Sequence, residues 1–65
     1  MTYSVLYEVS SGRILDVAGA GHEWPVAMQT QAGVAVATVR AGEMTAQQLM
    51  SDRVRYLDGQ IHWEV

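Results

Sequence analysis

Arg53-Val54-Arg55-Tyr56-Leu57-Asp58-Gly59-Gln60-Ile61-His62-Trp63-Glu64-Val65 closes the chain, and its reading decides the fold. Two runs of strand-forming residues flank Asp58-Gly59, a dipeptide that tolerates the two positive φ angles of a type I′ turn. A two-residue loop fixes the register, so Leu57 faces Gln60, Tyr56 faces Ile61, Arg55 faces His62, Val54 faces Trp63 and Arg53 faces Glu64. Alternation then gathers Val54, Tyr56, Ile61 and Trp63 on one face, and Arg53, Arg55, His62 and Glu64 on the other. A lone hairpin is marginal in water, so its apolar face needs a cover from this chain or from another.

The opening of the chain reads the same way. Tyr3, Val5, Tyr7 and Val9 alternate with Ser4, Leu6 and Glu8, a period-two strand signature. Ser10-Ser11-Gly12 is a turn in which Gly12 takes the left-handed position, and Arg13 to Val17 returns as the second strand. The simplest register sets Val9 opposite Arg13, Tyr7 opposite Leu15 and Val5 opposite Val17. Leu6 and Ile14 would share the opposite face with Glu8 and Asp16, so a second surface also asks to be covered.

Between the hairpins the signals are mixed. Residues 18–25 read as a loop, because Gly19-Ala20-Gly21 lacks anchoring side chains and Pro25 forces Trp24 into an extended conformation. Its Gly-x-Gly has neither the further glycine nor the helix of a phosphate loop. Residues 26–32 carry no decisive pattern. Gly33 to Arg40 is a central strand whose small alanines favour close packing, and Thr45-Ala46-Gln47-Gln48 is a capping box that opens a short helix near residues 45–51. The expected fold is mainly β, a small α+β domain spanning 1–65, with two β-hairpins and a central strand in an antiparallel sheet.

Composition bounds the function. The chain has 65 residues, no cysteine, no phenylalanine, three tyrosines and two tryptophans, with 49% apolar and 17% charged residues. A domain this short buries about 60% of its unfolded surface, and a core of this size rarely contributes more than roughly 3 to 5 kcal/mol. Without thiols it has neither disulfides nor thiolate zinc sites, so association is the remaining means of stabilisation. The five aromatic residues Tyr3, Tyr7, Trp24, Tyr56 and Trp63 are the candidate partner-binding residues, since rings with a polar tip recur at interfaces. Trp24, in a glycine-rich loop, serves equally as core or as contact, whereas Trp63 is expected to pack on Val54.

Four arginines against seven acids give a net charge of −3, which offers no field for nucleic acid. No apolar run approaches the roughly 20 residues of a membrane span, and Met1-Thr2-Tyr3 lacks a signal-peptide pattern. Catalysis finds no support either: there is no cysteine or lysine nucleophile and no Gly-x-Ser-x-Gly elbow. His62 and Glu64 share a strand face, but cross-strand pairs with Arg55 and Arg53 account for both without a metal. The expectation is no enzyme, no cofactor and no metal.

Three stretches carry a resemblance: Tyr7-Glu8-Val9-Ser10-Ser11-Gly12-Arg13-Ile14-Leu15, Gly33-Val34-Ala35-Val36 and Arg55-Tyr56-Leu57-Asp58-Gly59-Gln60-Ile61, 20 of the 65 residues together. They resemble the opening, middle and close of short tail-associated structural proteins of tailed bacteriophages and prophages. Two features depart from that pattern: the Thr45 to Ser51 helix stands where a more acidic linker is usual, and Trp63-Glu64-Val65 lacks a closing Arg-Pro. The resemblance implies a noncatalytic virion component at the tail tip or fibre, assembled in the host cytoplasm and docked on other virion proteins; the short, cysteine-free chain itself adds a homo-oligomer as an alternative or further association. It implies no catalytic residue. A capsid decoration protein and a small inhibitor binding one target through the Trp24 loop are the alternatives.

Overall fold

The computed structural model describes residues 1–63, so the expected Arg53–Glu64 pair lies outside the described residues. The fold is mainly β. Strands β1 (Thr2–Glu8), β2 (Ile14–Gly19) and β3 (Val34–Arg40) form an antiparallel sheet in the order β2-β1-β3, and β4 (Val54–Leu57) with β5 (Gln60–Trp63) forms a second sheet. Two single-turn helices, α1 (Val26–Gln29) and α2 (Ala46–Leu49), fill the connections.

The closing hairpin has the register its turn dictates. Val54 pairs with Trp63, Arg55 with His62, Tyr56 with Ile61 and Leu57 with Gln60. Asp58 at φ 53° and Gly59 at φ 76° supply the two left-handed residues of the turn. α2 begins as its capping box requires: the Gln48 N–H donates to the Thr45 hydroxyl at 3.2 Å, and the Thr45 N–H donates to the Gln48 side-chain oxygen at 2.8 Å. That fixed start swings Leu49 into the core, where it is fully buried.

The opening hairpin departs from the simplest register. Val5 does face Val17, but a bulge shifts the ladder so that Tyr7 faces Ile14 and Leu15 is left over. Val9 does not face Arg13. The Glu8 N–H donates to the Arg13 carbonyl instead, and the Val9 N–H donates to the Gly33 carbonyl. The bulge turns Ile14 onto the face of Tyr7 and Val5, where it is buried, and leaves Leu15 at the surface.

Each face of the three-stranded sheet has its own cover. One carries the main core of Val5, Ile14, Val39, Ala41, Leu49 and Val54, flanked by Tyr3, Tyr7, Tyr56 and Ile61, beneath α2 and the β4–β5 hairpin. The other buries Leu6 and Ser4 with Trp24. Residues 18–25 are therefore only partly loop, because β2 runs on to Gly19 before the chain turns back over the sheet. Residues 26–32 open with α1, whose start at Pro25 uses a residue that donates no N–H and fits a helix beginning.

One junction joins the two sheets. Arg13 bridges Arg55 in antiparallel fashion, and the Tyr56 N–H donates to the Gly12 carbonyl at 2.7 Å. Gly12 has φ +75°, and a Cβ there would stand 2.7 Å from both the Tyr56 carbonyl oxygen and Leu57 Cδ2. The first turn of the chain and its last hairpin thus meet at a point where only hydrogen fits.

Candidate functional site

The candidate surface surrounds the Asp58–Gly59 turn. On one side an open cleft of about 500 Å³ lies between Thr38, Val39 and Arg40 of β3 and Gly59, Gln60 and Ile61 of the hairpin, with Tyr56 beside them. On the other, a cleft of about 310 Å³ is lined by Tyr7, Val9, Tyr56, Leu57, Asp58 and Gly59. Tyr56 borders both. Its ring meets Tyr7 edge to face, with centroids 4.7 Å apart, an arrangement that holds two aromatic rings between the clefts.

The smaller cleft presents two aliphatic side chains to solvent beside the polar Asp58–Gly59 turn. Val9 is 54% exposed and Leu57 37%. Val9 is exposed because it lies just past the end of β1, where its N–H still donates to the Gly33 carbonyl but little of the fold covers its side chain. Leu57 is held at the rim by the close approach of Gly12. Neither cleft joins a hydroxyl nucleophile to a histidine base, and among the described residues no three His, Asp or Glu side chains are grouped to hold a metal. Among the same residues no helix is long and apolar enough to cross a membrane.

The five aromatic candidates have different fates. Tyr7 and Tyr56 line the clefts. Tyr3 is half-buried against the main core, its hydroxyl near the Met1 sulfur at 3.5 Å. Trp24 faces inward instead of toward a partner: it is 7% exposed, and its indole N–H donates to the Ser4 hydroxyl at 2.8 Å. Trp63 sits opposite Val54 as its register demands, yet it is 48% exposed because it lies at the open end of the hairpin. Sequence reasoning missed Val9 and Leu57. Val9 belongs to the apolar set of its strand, and only the fold shows that its end of the set is left uncovered, next to Leu57.

A polar cluster lies next to this surface. Ser11 and Ser10 donate to Glu8 Oε1 at 2.6 and 3.3 Å. These bonds, chiefly that of Ser11 and then that of Ser10, with the nearby Arg13 charge adding to them, hold the Glu8 carboxyl below its ordinary range. Arg13 pairs with Asp52 at 3.3 Å, and Arg55 donates to the Asp52 and Val54 carbonyls. Two arginines bridged directly opposite one another repel, and Asp52 with its backbone offsets that repulsion. Comparison with known proteins adds no family: no protein-family model, no curated protein and no solved structure matches this chain.

Proposed function

We propose that this chain is a noncatalytic attachment module, a small tail-associated component of a tailed-phage virion that docks on a larger structural protein. The observation that carries the reading is the placement of Val9 and Leu57, two exposed aliphatic side chains, in one cleft beside the Tyr7–Tyr56 pair. Aromatic side chains are frequent anchors of protein interfaces, and aliphatic neighbours around them help exclude water. The resemblance of the hairpin sequences to tail-associated proteins is what favours a tail protein as the class of the larger partner. Trp24 is committed to Ser4, which weighs against an inhibitor that binds through the Trp24 loop.

Fractionation of purified particles tests the proposal. The chain should be recovered with tails at a fixed ratio to one tail protein, and Val9→Asp should abolish its incorporation while the free chain stays folded. Recovery with heads would favour capsid decoration, and absence from all particles would end the virion reading.

A further inference from the structure

β3 is the long free edge of the fold, and two hydrogen bonds beyond its ends set what that edge offers. The Val9 N–H donates to the Gly33 carbonyl and the Ala41 N–H to the Met1 carbonyl, each at 2.8 Å. Hydrogen-bonded positions alternate along an antiparallel ladder. Ala35, Ala37 and Val39 therefore turn their backbone groups toward β1, and Val36, Thr38 and Arg40 turn theirs outward. Among the described residues no strand pairs with that side.

Exposed edges are normally blunted by proline, a bulge, a short length or a charge within the strand. The other free edges have such protection: β2 is bulged and bridged to β4, and β5 spans only 4 of the described residues. β3 has none. Its 7 residues, Val-Ala-Val-Ala-Thr-Val-Arg, pair with β1 in an unbroken register and carry one charge, at the last position.

Charge placement points to a second copy of this chain as the occupant. Opposed residues of an antiparallel pair share a face, so two copies related by a two-fold axis pair even positions with even positions. Full overlap sets Arg40 opposite Val34 of the second copy and Thr38 opposite its Val36, about Ala37. Within that second copy Val34 is paired with Glu8. Arg40 then lies two strand spacings, roughly 10 Å, from the other copy's Glu8 on the same face, a span that two extended side chains cover. Arg40 has no ion pair among the described residues, and Glu8, whose Oε1 accepts from the Ser10 and Ser11 hydroxyls, keeps Oε2 to accept from it.

We propose that the β3 edge is a homodimer interface, in which Val34–Arg40 pairs antiparallel with its copy and each Arg40 reaches Glu8 of the other copy. The strand order becomes β2-β1-β3-β3-β1-β2. The pairing brings the second copy's Val34–Val36 to the larger cleft beside Thr38–Arg40, leaves the Val9–Leu57 cleft open, and does not rest on the attachment role.

Sedimentation equilibrium of the full chain from micromolar to millimolar concentration tests it, with amide hydrogen exchange on the same samples. A dimer that dissociates on dilution is expected, with exchange at Val36, Thr38 and Arg40 slowing as concentration rises. Thr38→Pro removes an outward N–H and leaves the β1 ladder intact, so it should be monomeric throughout with an unchanged circular dichroism spectrum. Arg40→Glu and Glu8→Arg should each weaken dimerisation about three- to tenfold, as expected for two exposed ion pairs, and combining them should restore it. A wild-type monomer at millimolar concentration, or a folded Thr38→Pro that dimerises like wild type, overturns the proposal. If Thr38→Pro does not fold, failure of the double charge exchange to restore what each single exchange loses overturns it.

Discussion

Gly12 and Tyr56 are locked to each other through the backbone: the Tyr56 N–H donates to the Gly12 carbonyl at 2.7 Å, and a Cβ on Gly12 would stand 2.7 Å from the Tyr56 carbonyl. The junction of the two sheets depends on that approach. Gly12→Ala imposes a left-handed alanine, costing roughly 1–2 kcal/mol, and also forces β4 away. The expected total loss is about 3 kcal/mol or more, a large share of what so small a domain has. Urea unfolding followed by circular dichroism measures it, and loss of less than about 1 kcal/mol would mean that the hairpin does not seat on this turn.

The Asp58–Gly59 turn provides the contrasting case. Gly59 has φ +76°, but a Cβ added there would meet nothing within 4 Å, so Gly59→Ala bears the backbone cost without a clash. A loss of about 1 kcal/mol is expected. Asp58→Gly should be close to neutral, because Asp58 already sits at φ 53°. The same unfolding experiment ranks the variants, and Gly12→Ala must be the most damaging.

Trp24 and Trp63 should behave oppositely in fluorescence. With Trp63→Phe the remaining indole is the buried one bonded to Ser4, so emission should be blue-shifted and poorly quenched by acrylamide. With Trp24→Phe the remaining Trp63 should be readily quenched. Ser4→Ala leaves the indole N–H without its partner in a buried site and should cost about 1–3 kcal/mol.

Glu8 gives the fold an acid-sensitive element. Its carboxyl is held below the ordinary range by Ser11 and Ser10, so its contribution is present above the unfolded carboxylate pKa and fades as pH falls through the lower folded value. Glu8→Gln should flatten this part of the stability-versus-pH curve on the acid side and leave the neutral side level. Thermal melts across that acid range check it, and a variant whose curve parallels wild type would remove Glu8 from the account.

Local chemistry made several elements legible. Asp58-Gly59 admits one common turn type and therefore one register, and Thr45 with Gln48 marks a helix start by two reciprocal hydrogen bonds. What escaped the sequence depends on contacts between distant segments. The bulge that turns Ile14 inward is chosen by the core it joins, and the inward turn of Trp24 depends on Ser4, 20 residues earlier. The Arg13–Arg55 bridge sets like charges together, so no pairing rule would propose it. As for the surface, the clefts arise from both hairpins at once, and neither hairpin alone shows that Val9 and Leu57 share a rim.

The attachment role is tested most directly by photo-cross-linking in producing cells, with a benzophenone side chain placed at Leu57 and, separately, at Glu23, far along the chain from the Asp58–Gly59 turn. The expected result is a single adduct with one larger particle protein from Leu57 and none from Glu23. Absence of any adduct from Leu57, or the same adducts from both positions, would contradict the claim that this cleft is the docking surface.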